Sequence, residues 1–208
     1  NIDSVEIDKA RREAEKNGKS SFWLAYLLDI DENERARGIT LGYTFYDITY
    51  NEQKYKIIDV PGHHNLVQEM IAGTSFADVA VLVLSARSGE YESALKGQAL
   101  QHTLIARGIG IQHLIVAINK IDQATEENIK FIETDFAEKV KKFRFKSIDF
   151  IPISAYNGIG IDKLMRAIES IKVEDKKEKI FDIHNGNIIK TKVMFDSIPT
   201  LISGGFKC

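Results

Sequence analysis

Two short stretches carry residue types suited to holding a nucleotide: Asp59-Val60-Pro61-Gly62-His63 and Asn119-Lys120-Ile121-Asp122. An aspartate at the end of a strand can hold a water on Mg²⁺, a cation that prefers oxygen ligands and keeps several waters. Gly62 has no side chain to block its N–H from a terminal phosphate, and Pro61 stiffens the approach. The same five residues also suit an ordinary strand followed by a Pro-Gly turn. In the second stretch, Asp122 offers two acceptor oxygens side by side. Guanine presents two N–H donors on one edge, so such a carboxylate selects guanine over adenine. Asn119 would tie neighbouring loops together, and Lys120 would lay its stem over the base. By themselves these four residues also suit a polar strand-to-helix turn.

Two weaker signals accompany them. Ser154-Ala155 lies in "ISAYNG", where the Ala155 backbone N–H would reach the guanine oxygen, and Thr40 closes "RARGIT" ahead of the first strands. Thr40 would offer its hydroxyl and carbonyl to Mg²⁺ and a γ-phosphate. Gly18-Lys19-Ser20 reproduces the end of the phosphate-binding pattern G-x-x-x-x-G-K-[ST], but the required earlier glycine is Glu13. A carboxylate there sets negative charge against phosphate, and the loop loses the backbone freedom it needs. The preceding "VEIDKARREAEKN" is charged and helical in character, not a buried strand, and Asn17-Gly18 suits its C-terminal stop.

The elements that must position these residues follow from hydropathy. "DVAVLVLSA" (78–86), "HLIVAINK" (113–120) and "FIPISA" (150–155) are continuously apolar, as strands buried on both faces are. Helical patterns lie near 64–73, 97–107, 125–142 and 159–172. This alternation predicts an α/β fold, a doubly wound, mostly parallel sheet with helices on both faces. "ITLGYTFYDITY" and "KYKIIDV" flank a polar turn at 51–53 and predict a hairpin feeding that sheet. In open sheets of this kind ligands bind at the carboxyl ends of the strands, where all four motifs fall.

The chain has 208 residues, 44% of them hydrophobic and 28% charged, with a net charge of −2. That suits one globular core and argues against a bulk field for nucleic acid. The single cysteine, Cys208, excludes an internal disulfide, and a reducing, cytoplasmic setting is expected. No apolar run is long enough to span a membrane. His102 and His113 have no Cys or His at ligand spacing and are expected to be structural. The basic residues from Lys139 to Lys146 are expected to form a solvated face.

The order Thr40, Asp59-Gly62, Asn119-Asp122, Ser154 resembles the GTPase G domain. "PGHH" resembles the form seen in translational GTPases. "GKSSFWLAYLLDIDENERARGIT" is similar to the long first switch region of the group holding elongation factor 1-alpha, release factor 3 and the Hbs-type ribosome-rescue GTPases. Gly18-Lys19 then corresponds to switch sequence, and the family's P-loop is expected before Asn1. The family's Q-T-x-E-H is replaced by Gln98-Ala99-Leu100-Gln101-His102, and "FDSIPTLISGGFKC" resembles the opening of the last β-barrel domain of Hbs-type proteins. Much of the family's second domain has no counterpart here.

The resemblance implies three segments: an N-terminally incomplete GTP-binding domain over 1–173, a linker over 174–187, and a β-barrel fragment over 188–208. It implies GTP or GDP with Mg²⁺ as ligands. Mg²⁺ would be held by Thr40 and Asp59, and the nucleotide by Gly62, Asn119, Lys120, Asp122, Ser154 and Ala155. His63 would orient the attacking water, with Ile39 as an apolar gate. The partners implied are the ribosome and, in the Hbs-type reading, a Pelota-type release-factor mimic. Elongation factor 1-alpha, carrying aminoacyl-tRNA, is the alternative, with a release factor 1-type protein as a further partner class. A monomer off the membrane is expected. A module that binds without hydrolysis stays open as a second class.

Overall fold

A computed structural model describes residues 4–16, 42–62, 64–172, 180–184, 187–191 and 200–204. Helix α1 spans Ser4–Lys16, as its charged sequence predicts. Strands β1 (Thr44–Tyr50) and β2 (Gln53–Val60) form the expected antiparallel hairpin, with Tyr50 opposite Gln53. The two residues between them, Asn51 and Glu52, have φ of 48° and 63°. Two successive left-handed residues make a turn whose twist matches the strands it joins.

Helix α2 (Val67–Thr74) follows a 3₁₀ turn at His64–Leu66. Then come β3 (Val79–Ser85), a short α3 (Glu90–Lys96), α4 (Ala99–Ile109) and β4 (His113–Asn119). Helix α5 (Glu126–Val140), β5 (Ser147–Pro152) and α6 (Ile161–Ser170) complete the main body. Helix α5 begins where the Thr125 hydroxyl accepts the Asn128 N–H at 3.3 Å, a side-chain cap for one of the open amides of the first turn.

The six-stranded sheet runs β1-β2-β8-β3-β4-β5, with β8 being Thr200–Gly204. Only the β1–β2 pair is antiparallel; β2–β8, β8–β3, β3–β4 and β4–β5 are parallel. The doubly wound, mostly parallel α/β fold is therefore present. Two details depart from expectation. Residues 174–187, expected as a linker, contain β6 (Ile180–His184), which pairs antiparallel with β7 (Asn187–Thr191). In the segment expected as a barrel fragment, Thr200–Gly204 joins the central sheet. Short β-branched and leucine-containing strands can pair with any open edge of matching polarity, so pattern alone does not choose the partner.

The core lies on both faces of the sheet. Ile58, Leu82, Leu84, Val116 and Ile118 pack with Met70, Ile132, Phe136 and Val140 on one side. Val79, Val81, Ile115, Ala117 and Ile153 pack with Ile168 on the other. This is why Val79–Leu84 of β3 and Leu114–Ile118 of β4 are apolar at every position rather than every second one, each fully buried aliphatic side chain contributing about 1.5–3 kcal/mol. Beside the outer hairpin, Tyr43, Phe45 and Phe76, the last just past the end of α2, contact one another with ring centroids 5.6–6.0 Å apart. They are 38%, 43% and 54% exposed. Gly73 makes the close approach of α2 to this hairpin possible. A Cβ there would sit 2.5 Å from Val60 Cγ1 and 2.8 Å from Tyr43 Cβ.

Candidate nucleotide site

Parallel strands place their carboxyl ends at one edge, and there the backbone is laced across three strands. Ser85 of β3 and Asn119 of β4 are register partners. The Ala86 N–H donates to the Asn119 carbonyl at 2.7 Å, and the Ala86 carbonyl accepts Asn128 Nδ2 of α5 at 2.6 Å. Past the end of β5, the Ile153 N–H donates to the Ile118 carbonyl at 2.8 Å, and the Ile121 N–H donates to the Ile153 carbonyl at 3.2 Å.

The Asn119 side chain completes the lacing. Its Oδ1 accepts the N–H of Lys120 at 2.8 Å and that of Ala155 at 2.9 Å. One amide oxygen thus fixes two loops that sequence separates. Ser154 is fully buried, and its hydroxyl accepts the Asn157 N–H at 3.3 Å. A hydrogen bond from Ser154 is the main cause holding the Asp122 carboxyl below the usual aspartate range. Asp122 is exposed and stays ionised, with Gln123 Nε2 3.4 Å from Oδ2. An open carboxylate on a fixed loop offers two acceptor oxygens side by side, which suits a ligand edge carrying two N–H donors.

The loop that carries Ser154 and Ala155 depends on Gly160. It has φ +77°, and a Cβ there would lie 2.4 Å from the Pro152 carbonyl oxygen. Ser154 and Ile159 exchange both backbone hydrogen bonds, at 2.9 and 3.1 Å, which closes the loop.

Lys120 is in the left-handed region at φ 65°. Its Nζ lies 2.7 Å from Glu90 Oε2 at the start of α3. Glu90 also accepts the Ser85 hydroxyl at 2.6 Å and Arg87 Nη1 at 3.3 Å. The hydrogen bond from Lys120, then that from Ser85, keeps the Glu90 carboxyl below the usual glutamate range. Sequence reading passed over Glu90 and α3 altogether. Its only signal was a glutamate directly after a glycine that follows an apolar strand.

Asp59 lies near the carboxyl end of β2 and Gly62 just past it, both half-buried, with Pro61 between them in sequence and buried. They form a second group on the same edge, three strand positions from β4 and so about 14 Å away at ordinary strand spacing. That separation suits an extended ligand with a base at one end and a charged group at the other. Thr40, Ile39, His63 and Gly18-Lys19 lie outside the described residues. Among the described residues no group of three His, Cys, Asp or Glu side chains could hold a metal by itself. His102 is buried on α4, and burial lowers its pKa, which favours the neutral ring. His113 Nδ1 lies 2.8 Å from Ser147 Oγ, joining β4 to β5 at their amino ends. No helix among the described residues is long and apolar enough to cross a membrane.

Comparison with known proteins matches these features. The family described as "Elongation factor Tu GTP binding domain" covers residues 2–173. The chain is 34% identical over 186 residues to elongation factor 1-alpha of Thermoplasma acidophilum, covering 82% of this chain and 43% of that protein. It is 41% identical over 167 residues to elongation factor 1-alpha of Staphylothermus marinus, covering 76% and 38%. It therefore spans less than half the length of these relatives. Among solved structures, a bacterial selenocysteine-specific elongation factor EF-Sec superposes with a TM-score of 0.62 at 27% identity, covering 73% of this chain and 26% of that one. Elongation factor SelB of Methanococcus maripaludis, in complex with the GTP analogue GppNHp, gives 0.55 at 26% identity, covering 70% and 31%.

Proposed function

Because the chain belongs to the elongation factor Tu GTP-binding-domain family of translational GTPases, we propose that it reads guanine through Asp122 and serves a translation factor that hydrolyses GTP on the ribosome. The observation that carries this reading is the Asn119 side chain holding the Lys120 and Ala155 amides together beside an ionised, open Asp122. A base-reading edge that is already rigid loses little entropy when it binds.

The residues fit a guanine nucleotide with Mg²⁺. Asp122 accepts from the base, and Ser154 keeps Asp122 charged and oriented; the Ala155 N–H, expected to reach the guanine oxygen, is instead taken up by Asn119 Oδ1 and serves to fix the loop. Asp59 would hold Mg²⁺ together with Thr40, which lies four residues before Thr44, the register partner of Asp59. When bound, Mg²⁺ neutralises charge on the phosphates. Gly62 would present its N–H at the terminal phosphate, and His63 would orient a water there. Hydrolysis of this kind depends on positioning and electrostatics rather than covalent chemistry.

Two partner readings differ. The elongation-factor names of the relatives support a carrier of aminoacyl-tRNA. The Hbs-type reading, ribosome rescue with a Pelota-type partner, draws on the resemblance of residues 195–208 to a barrel opening. The placement of Thr200–Gly204 in the central sheet weakens that support. Calorimetric titration of GTP·Mg²⁺, ATP·Mg²⁺ and XTP·Mg²⁺ into wild type and Asp122→Asn tests the shared core. Wild type should prefer GTP. The variant should lose about 2–4 kcal/mol toward GTP, roughly 30- to 1,000-fold, and gain toward XTP, which lacks the exocyclic amine. Equal GTP binding by both proteins overturns the guanine assignment.

A further inference from the structure

We propose that Glu90 is a positioning residue of the guanine site: from the start of α3 it captures the Lys120 ammonium, so that the lysine's methylene stem, not its charge, faces the base. The proposal rests on the guanine reading above and adds a residue from a different loop to it.

Three donors converge on this one carboxylate: Lys120 Nζ at 2.7 Å, Ser85 Oγ at 2.6 Å and Arg87 Nη1 at 3.3 Å. The two side chains of the lysine pair are only 32% and 19% exposed. An isolated surface pair holds two long side chains for little gain. Here Ser85 and Arg87 already hold the acceptor, so Lys120 meets a carboxylate that is in place.

Glu90 is itself fixed from behind. Gly89 precedes it in the left-handed region at φ 81°, which lets the chain turn sharply from β3 into α3. The next residue, Tyr91, is buried, and its hydroxyl donates to Asp135 of α5 at 2.6 Å. Its ring meets Phe131 edge-on at 6.2 Å. Helix α3 is therefore anchored to α5 through Tyr91 while Glu90 faces the site.

Lys120 needs such a partner. Its left-handed backbone is costly for a residue with a side chain, and it persists where neighbours over-determine it. Asn119 fixes the Lys120 amide, and Glu90 fixes the other end of the same residue. Once Glu90 cannot hold the ammonium, four flexible carbons are free to sweep the base site, and the lysine loses its fixed face.

The test is NMR titration of GDP·Mg²⁺ into the full chain, followed at the Lys120 and Ala155 amides, which measures weak and tight binding alike. Glu90→Gln should weaken GDP by about tenfold, the scale of one charge-assisted contact. Glu90→Asp, which keeps the charge, should recover part of that loss. In a Lys120→Met background Glu90→Gln should have no further effect. Urea melts of each variant show that the fold is kept, and Glu90→Asp carries the test if Glu90→Gln does not fold. Unchanged GDP binding by Glu90→Gln, with Asp122→Asn still impaired, overturns the positioning role alone. An equal loss in the Lys120→Met background also overturns it, because Glu90 then acts by another route. If neither Glu90→Gln nor Asp122→Asn changes binding, the guanine reading falls and the proposal with it.

Discussion

The Asn119 side chain accepts the backbone N–H of Ala155 at 2.9 Å across 36 residues of sequence. The same oxygen takes the Lys120 N–H, so one amide determines whether the base-reading loops form one surface or two. Asn119→Ala leaves two N–H groups without their acceptor. The variant should lose about 1–3 kcal/mol of stability and at least tenfold in guanine-nucleotide affinity. Urea denaturation and calorimetric titration measure the two losses separately. Asn119→Asp keeps an acceptor oxygen and should retain more of the stability than Asn119→Ala.

Gly160→Ala should act on the same loops from the far side. A side chain there meets the Pro152 carbonyl at 2.4 Å and a φ of +77°. The expected cost is about 1–3 kcal/mol. The amide shifts of Ser154 and Ala155 should move as the loop between Ser154 and Ile159 is displaced. An unchanged urea midpoint would mean that the loop yields without strain.

Acid stability follows from two carboxylates. Glu90 is held below its ordinary pKa chiefly by Lys120, and Asp135 chiefly by Lys139 and then Tyr91. A depressed folded pKa means that the unfolded chain binds protons first. Its contribution is full above the unfolded value and disappears as pH falls through the folded one. Glu90→Gln and Asp135→Asn should therefore be less stable than wild type near neutrality. The differences should shrink to nothing once pH drops below the ordinary carboxylate range. Urea midpoints measured from pH 7 to pH 3 check the sign.

His63→Ala should separate binding from chemistry. Affinity for GTP should stay within a few-fold, whereas ribosome-stimulated hydrolysis should fall by roughly 10²–10⁴, the worth of a positioned catalytic group. Single-turnover hydrolysis on ribosomes measures it. An unchanged rate leaves His63 as a turn residue.

Much of this architecture was legible in the sequence because burial writes it there. The runs at 78–86 and 113–120 became β3 and β4, and the helical patterns at 97–107 and 125–142 became α4 and α5. Asn119 was expected to tie loops together, and it does. What escaped was set by long-range contact. Glu90 looks like any surface glutamate until Lys120, thirty residues later, arrives beside it. Ser154 was expected at the nucleotide, but its hydrogen bond to Asp122 could not be read from the sequence. The pairing of Thr200–Gly204 between β2 and β3 depends on an open edge that hydropathy cannot locate.

The aromatic triad beside the outer hairpin bears on how the protein behaves in concentrated solution. Strand β1 is the end strand of the described sheet, and Tyr43 and Phe45 at its start place exposed rings beside that edge. An apolar strand edge is a template for adding another chain. Lys56 stands 5.6 Å over the Phe45 ring and pairs with Asp47 at 2.6 Å on the same hairpin. Exposed charges of this kind contribute little to folding and, at a sheet edge, disfavour edge-to-edge growth. A kosmotropic salt such as sulfate screens charge and strengthens apolar association together, so self-association through this edge is expected to rise with its concentration.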